Sequence, residues 1–202
     1  MSLDSIKSLR WADYLYYTLL DPRSFARLVS QSPRPLIKLS FVIPVIAAAV
    51  QIVSSSIISP QNSFFIAKMT YGWLLLSVFN VCSVFFISWL IDTALQLRGR
   101  AGNLRVSITI VNFSFFPILF LLPAVTIFHV TGFAPGFFRF LCYSALVVVM
   151  WLIIVRAISE VHGLTFPKAL AVCLIPFAIA VFLFVCVLIL SAGLAGGFIQ
   201  SL

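Results

Sequence analysis

The chain has 202 residues, 62% of them hydrophobic and 9% charged, with a mean hydropathy of +1.17. That leaves too little polar surface to enclose a water-soluble core of this size. The net charge of +8 would suit nucleic acid in a soluble protein, but these basic residues flank apolar runs and form no dense stretch that tracks phosphates. No nucleic-acid partner is expected, and anionic lipid is the natural counter-charge.

Residues 1–35 read as a cytoplasmic amino-terminal segment with two short helices. Trp11, Tyr14, Leu15, Tyr16 and Tyr17 stand beside Lys7, Arg10 and Asp13, the mixture of a helix lying in the headgroup region. That helix is expected on the inner leaflet or on the cytoplasmic face of a bundle. Asp21 can cap the second helix, with Pro22 at its first position. Ser32-Pro33-Arg34-Pro35 then ends it. The first apolar run begins only at Leu36, which predicts an uncleaved anchor rather than a removed signal peptide.

From residue 36 to 202 the sequence predicts an all-α polytopic membrane bundle. Five apolar runs, Leu36–Ile58, Met69–Leu95, Val106–Val130, Phe137–Ile158 and Ala169–Ala192, each match the ~20 residues that cross a hydrocarbon layer as a helix. Threading them back and forth gathers Lys7, Arg10, Arg23, Arg27, Arg34, Lys38, Arg98, Arg100, Arg105, Arg156 and Lys168 on one side, leaving Lys68 and Arg139 on the other. The excess marks the cytoplasmic side. The amino terminus is therefore expected inside and the carboxyl terminus outside, in a cell (inner or plasma) membrane.

Pro44, Pro117, Pro123 and Pro176 fall inside these runs, and each removes one intrahelical hydrogen bond. The third span, with two of them, is expected to bend or unwind locally. A structural kink explains this better than a transporter's substrate site, because no ionisable residue lies near these prolines at mid-depth. Gly193 and Gly197 fit either a close helix contact or a flexible exit from the membrane. Cys82, Cys142, Cys173 and Cys186 fall within spans without paired spacing, so neither a disulfide framework nor a metal site is expected. Asn112-Phe113-Ser114 matches a glycosylation acceptor but lies in an apolar run, out of reach.

Ionisable groups in or near spans are costly and need a reason. Asp92, Arg156, Glu160 and His162 form a candidate polar cluster at the cytoplasmic rim. Arg156 and Glu160, four apart on one helical face, are expected to pair, while Asp92 can join them or meet Arg98. The cluster reads as a device that fixes helix register rather than a relay, since no further titratable groups continue outward. His129 lies too far in depth from His162 to share a metal. Ser77, Asn80, Ser83, Ser107, Thr109, Asn112 and Ser114 suit interhelical hydrogen bonds of roughly 1 kcal/mol or less each. No HExxH, GxSxG or phosphate-binding glycine loop is present, so neither a cofactor nor enzymatic activity is expected.

The stretch from Trp151 to Thr165 carries Arg156, Glu160, His162 and Gly163 and is followed by Lys168-Ala169. It resembles the YIP family, named for interaction with Ypt/Rab GTPases: a Trp-containing span, a Glu/His-Gly turn, then Lys-Ala opening the last span. Leu19-Leu20-Asp21-Pro22 with Phe25 is similar to the pre-membrane motif of prokaryotic members. The basic connection Arg98-Gly99-Arg100-Ala101-Gly102-Asn103, leading into a Pro117-containing span, is similar too. The resemblance implies five spans with the same topology and, from eukaryotic members, a scaffold or adaptor acting as a homo- or hetero-oligomer. The Asp-Leu-Tyr-Gly-Pro motif and long acidic arm of those members are missing, which points to a prokaryotic-type protein.

Together these readings predict a non-enzymatic scaffold or adaptor that docks an unidentified cytoplasmic protein partner or anionic lipid through Trp11, Arg98, Arg100 and Arg105. The alternative is a small-solute permease or channel component, with Asn80 and Asn112 lining a hydrophilic path and the rim cluster gating its mouth.

Overall fold

Proline, glycine and capping residues set the element boundaries. The structure, a computed structural model, describes residues 11–31, 35–58, 68–132 and 134–179 together with 181, 182 and 185. Helix α1 spans Trp11–Leu20 and α2 spans Pro22–Gln31. Between them the Asp21 carboxylate accepts from the Ser24 amide at 3.2 Å and from the Ser24 hydroxyl, as the sequence predicts for an N-cap. Helices α3, Pro35–Ser40, and α4, Val42–Ile58, make up the first apolar span. They part at Phe41 because Pro44 has no N–H for the Ser40 carbonyl.

A π-helical turn at Lys68–Gly72 leads into α5, Trp73–Leu97. Gly99 closes α5 at φ 70°, and the Arg100 amide returns to the Leu95 carbonyl at 3.0 Å; glycine takes that left-handed conformation without a Cβ penalty. Asn103 caps α6, Leu104–Ser114, by accepting from the Val106 amide at 3.3 Å. The third span then changes to a 3-10 turn, Phe116–Phe120, and continues as α7, Leu121–Val130. Pro117 lies in that turn and Pro123 in the first turn of α7, so the expected irregularity falls where two amides are missing.

Helix α8, Pro135–Val161, ends at Gly163, φ 59°. The Leu164 amide donates to the Ser159 carbonyl at 2.9 Å, and the Ser159 hydroxyl donates to the Leu164 carbonyl at 2.6 Å. Helix α9 covers Phe166–Ile179. Most of the expected fifth span beyond it, including Cys186, Gly193 and Gly197, lies outside the described residues, as do residues 59–67.

Among the described residues, four helical stretches, Leu36–Ile58, Met69–Leu97, Leu104–Val130 and Pro135–Val161, are long and apolar enough to cross a membrane, and α9 is a shorter apolar helix. The third is central: 67% of its apolar window is buried, against 28% to 33% in the others. Leu75, Phe79 and Trp89 on α5 and Phe137, Phe140 and Val148 on α8 are exposed, a larger apolar surface than water tolerates. Lipid is their solvent, and the chain is a multi-pass helical membrane protein.

The amino-terminal helices join this bundle rather than standing apart. Phe25 and Phe113 are fully buried with ring centroids 5.2 Å apart, and the Tyr14 ring lies 6.2 Å from Phe113. Burying a side chain such as Phe25 stabilises the packing by about 1.5–3 kcal/mol. Helix α1 thus packs against the bundle through Tyr14. Deeper in, Asn80 donates to the Pro44 carbonyl at 3.1 Å and Asn112 to the Ser40 hydroxyl at 2.8 Å, joining the first span to the second and third.

Candidate functional site

Polar chemistry collects at one end of the bundle, where the α1–α2 turn, the α5–α6 connection, the last turns of α8 and the α8–α9 turn converge. The four residues expected as one rim cluster fall into two separate groups there.

The first group lines a cleft of about 780 Å³ between the α1–α2 turn and the end of α8. Glu160 does not pair with Arg156. Its Oε1 accepts instead from Arg27 of α2, at 2.6 Å from Nη2 and 2.7 Å from Nε. The physical reason is rotational: four residues turn a helix by about 40° beyond one revolution, which brings Glu160 nearer than Arg156 to the buried stripe of Ile154, Ala157 and Ile158. Glu160 is half-buried beside α2 while Arg156 is exposed. Asp21 and Arg23 face the same cleft. The hydrogen bonds from the Ser24 side chain and backbone hold the Asp21 carboxyl below the usual carboxylate range, so it is ionised and engaged.

The second group is centred on Asp92, 9% exposed. Its Oδ2 accepts from Gln96 at 2.8 Å, while Oδ1 is buried with no partner among the described residues. Gly102 lies so close that a Cβ at this position would overlap the carboxylate, so the α5–α6 connection folds back over Asp92 because it carries a glycine there. His162 completes the group, its Nε2 also buried without a partner. Burial pushes the imidazole below its ordinary pKa of 6.5, with the Asp92 carboxylate opposing and Arg100 reinforcing the shift. Arg98 does not meet Asp92; its Nη1 donates to the Lys168 carbonyl at 3.4 Å.

Arg98, Arg100 and Arg105 are all exposed on or beside the α5–α6 connection. Trp11 opens α1, with its side chain outside the described part. Next to Arg98, an apolar groove of about 460 Å³ runs between α5 and α9, lined by Phe86, Trp89, Ile175 and Pro176. No group of three His, Cys, Asp or Glu able to hold a metal occurs among the described residues, and Cys82, Cys142 and Cys173 are free thiols. What this end can do chemically is bind anions through guanidinium groups and change charge at His162.

Three contributors escape a reading of the sequence alone. Arg27 lies 133 residues from its partner, and no spacing rule reaches that far. Gly102 resembles any loop glycine until Asp92 is beside it, and Arg23 counts only as a flanking charge until the cleft forms around it.

A family model described as the Yip1 domain matches residues 16–189. Neither the curated proteins nor the solved structures contain a match.

Proposed function

The chain belongs to the Yip1 domain family, and from that membership together with the geometry of its basic end we propose that it is a non-catalytic membrane scaffold. Its basic end faces the cytoplasm of the cell and docks a protein partner or anionic lipid, and its carboxyl terminus lies across the membrane. It acts as an oligomer.

The observation that carries this reading is the way the amino-terminal helices are fastened. Phe25 anchors α2 in the core, and Arg27 ties it to Glu160 of α8. The exposed Arg98, Arg100 and Arg105 therefore share one end of the bundle with a fastened polar platform rather than a loose tail. The side-chain amide nitrogens of Asn80 and Asn112 both donate to the first span, which supports a packing role over a lining for solutes.

Photoreactive groups at positions 11 and 100, crosslinked in native membranes and followed by mass spectrometry, test the proposal. A defined protein captured from both positions supports it. Capture of nothing but bulk lipid, combined with solute flux in liposomes, would move the assignment to a permease.

A further inference from the structure

The cleft between the α1–α2 turn and the end of α8 contains two arginines that make no ion pair among the described residues. Arg23 and Arg156 come from different elements, both are exposed, and both line the cavity. Neither has a hydrogen-bond or ion-pair partner among the described residues. The two carboxylates in the same cleft are already committed: Glu160 to Arg27, and Asp21 to Ser24. Counting Arg27 with the lining, three guanidinium groups face two carboxylates, a net positive charge, and the hydrogen-bonding groups of Arg23 and Arg156 are the ones left open to a ligand.

Depth indicates what answers that charge. Arg156 lies five residues before the end of α8 at Val161, or about 7–8 Å along the axis, and a long arginine stem carries its head toward the interface. The headgroup layer is itself only about 5–7 Å thick on each face. A 27-residue helix is about 40 Å long, roughly 5 Å longer at each end than the hydrocarbon layer, so Arg156 starts near the hydrocarbon boundary with its guanidinium in reach of the headgroups, and Arg23 stands on the facing wall. Thr165 and Ser159 add polar surface to the same walls. A cavity of about 780 Å³ has room for a phosphate with its glycerol.

With the docking-face reading as its basis, we infer that this cleft is a binding site for the phosphate headgroup of an anionic phospholipid, clamped between Arg23 and Arg156. Guanidinium and phosphate form charge-assisted, two-pronged hydrogen bonds. The site is separate from the exposed arginines of the α5–α6 connection.

Native mass spectrometry of the full chain in detergent, titrated with phosphatidylglycerol, tests the assignment. The wild type should retain a lipid that R23Q or R156Q binds roughly tenfold more weakly, and the R23Q/R156Q double variant more weakly still. R23K/R156K should recover part of the affinity. Both side chains are exposed, so the lipid-free melting temperature should not move; if the double variant fails to fold, the single variants carry the comparison. Unchanged lipid retention in the glutamine variants overturns the inference. Competition by inorganic phosphate or glycerol phosphate at concentrations matching the lipid overturns the lipid assignment and makes the cleft a site for a soluble phosphate. Lipid held by Arg23 and Arg156 while crosslinking from positions 11 and 100 captures no protein would leave this site standing and remove the protein-docking half of the scaffold reading.

Discussion

Arg27 and Glu160 stand 133 residues apart in the chain and 2.6 Å apart in space, and their contact fastens the amino-terminal helix pair to the fourth span. Arg27 is 66% exposed and Glu160 25%, so solvent screens the pair. Its contribution to global stability is expected to be about 1 kcal/mol or less. The local effect is larger. Arg27→Gln should speed hydrogen exchange of α2 amides while leaving α8 protected, and raising the salt concentration should mimic the substitution. Equal exchange in both proteins would mean that Phe25 alone holds α2.

Gly102→Ala is expected to destabilise the bundle by about 1–2 kcal/mol, because the new methyl overlaps a buried carboxylate that Gln96 holds in place. Asp92→Ala should relieve the overlap. A double-mutant cycle in chemical denaturation would then give a coupling between the two positions, and strict additivity would show that the connection simply shifts away.

His162 makes stability depend on pH. Its folded pKa lies below the ordinary 6.5, first because of burial, so the unfolded chain binds the proton more readily. The neutral form's contribution is complete above about pH 6.5 and is lost as the pH falls through the lower folded value. Melting temperatures measured from neutral to mildly acidic pH should fall, and His162→Gln should flatten the profile. Arg100→Gln should raise the imidazole pKa, and Asp92→Asn should lower it, both readable by NMR of labelled histidine.

Asn80→Ala removes the hydrogen bond to the Pro44 carbonyl, at an expected cost of roughly 1 kcal/mol. Liposomes containing this variant should show the same negligible solute flux as wild type. A change in flux would assign Asn80 to a path through the bundle.

Local features of the fold were legible in the sequence because they rest on contacts a few residues apart. Asp21-Pro22 announces the start of α2, Pro117 the interruption of the third span, and the first four of the five apolar runs the helices that, among the described residues, are long enough to cross a membrane; the fifth run lies mostly outside those residues. The basic end was legible as a collection of charges but not as an arrangement. Helical spacing alone favoured Arg156 as the partner of Glu160, since it ignores which way the helix faces. Sequence depth alone groups Asp92 and His162 with Arg156 and Glu160, because all four lie at a similar distance along their spans. Depth says nothing of the packing that divides them between Gly102 and α2.

The first and third spans are interrupted at the same level. The break at Phe41 and the turn after Ser114 are bridged there by Asn112 and Ser40. Helices α5 and α8 run past that level unbroken, so a side-chain hydrogen bond supplies the link between the first and third spans where their own backbone ladders are interrupted.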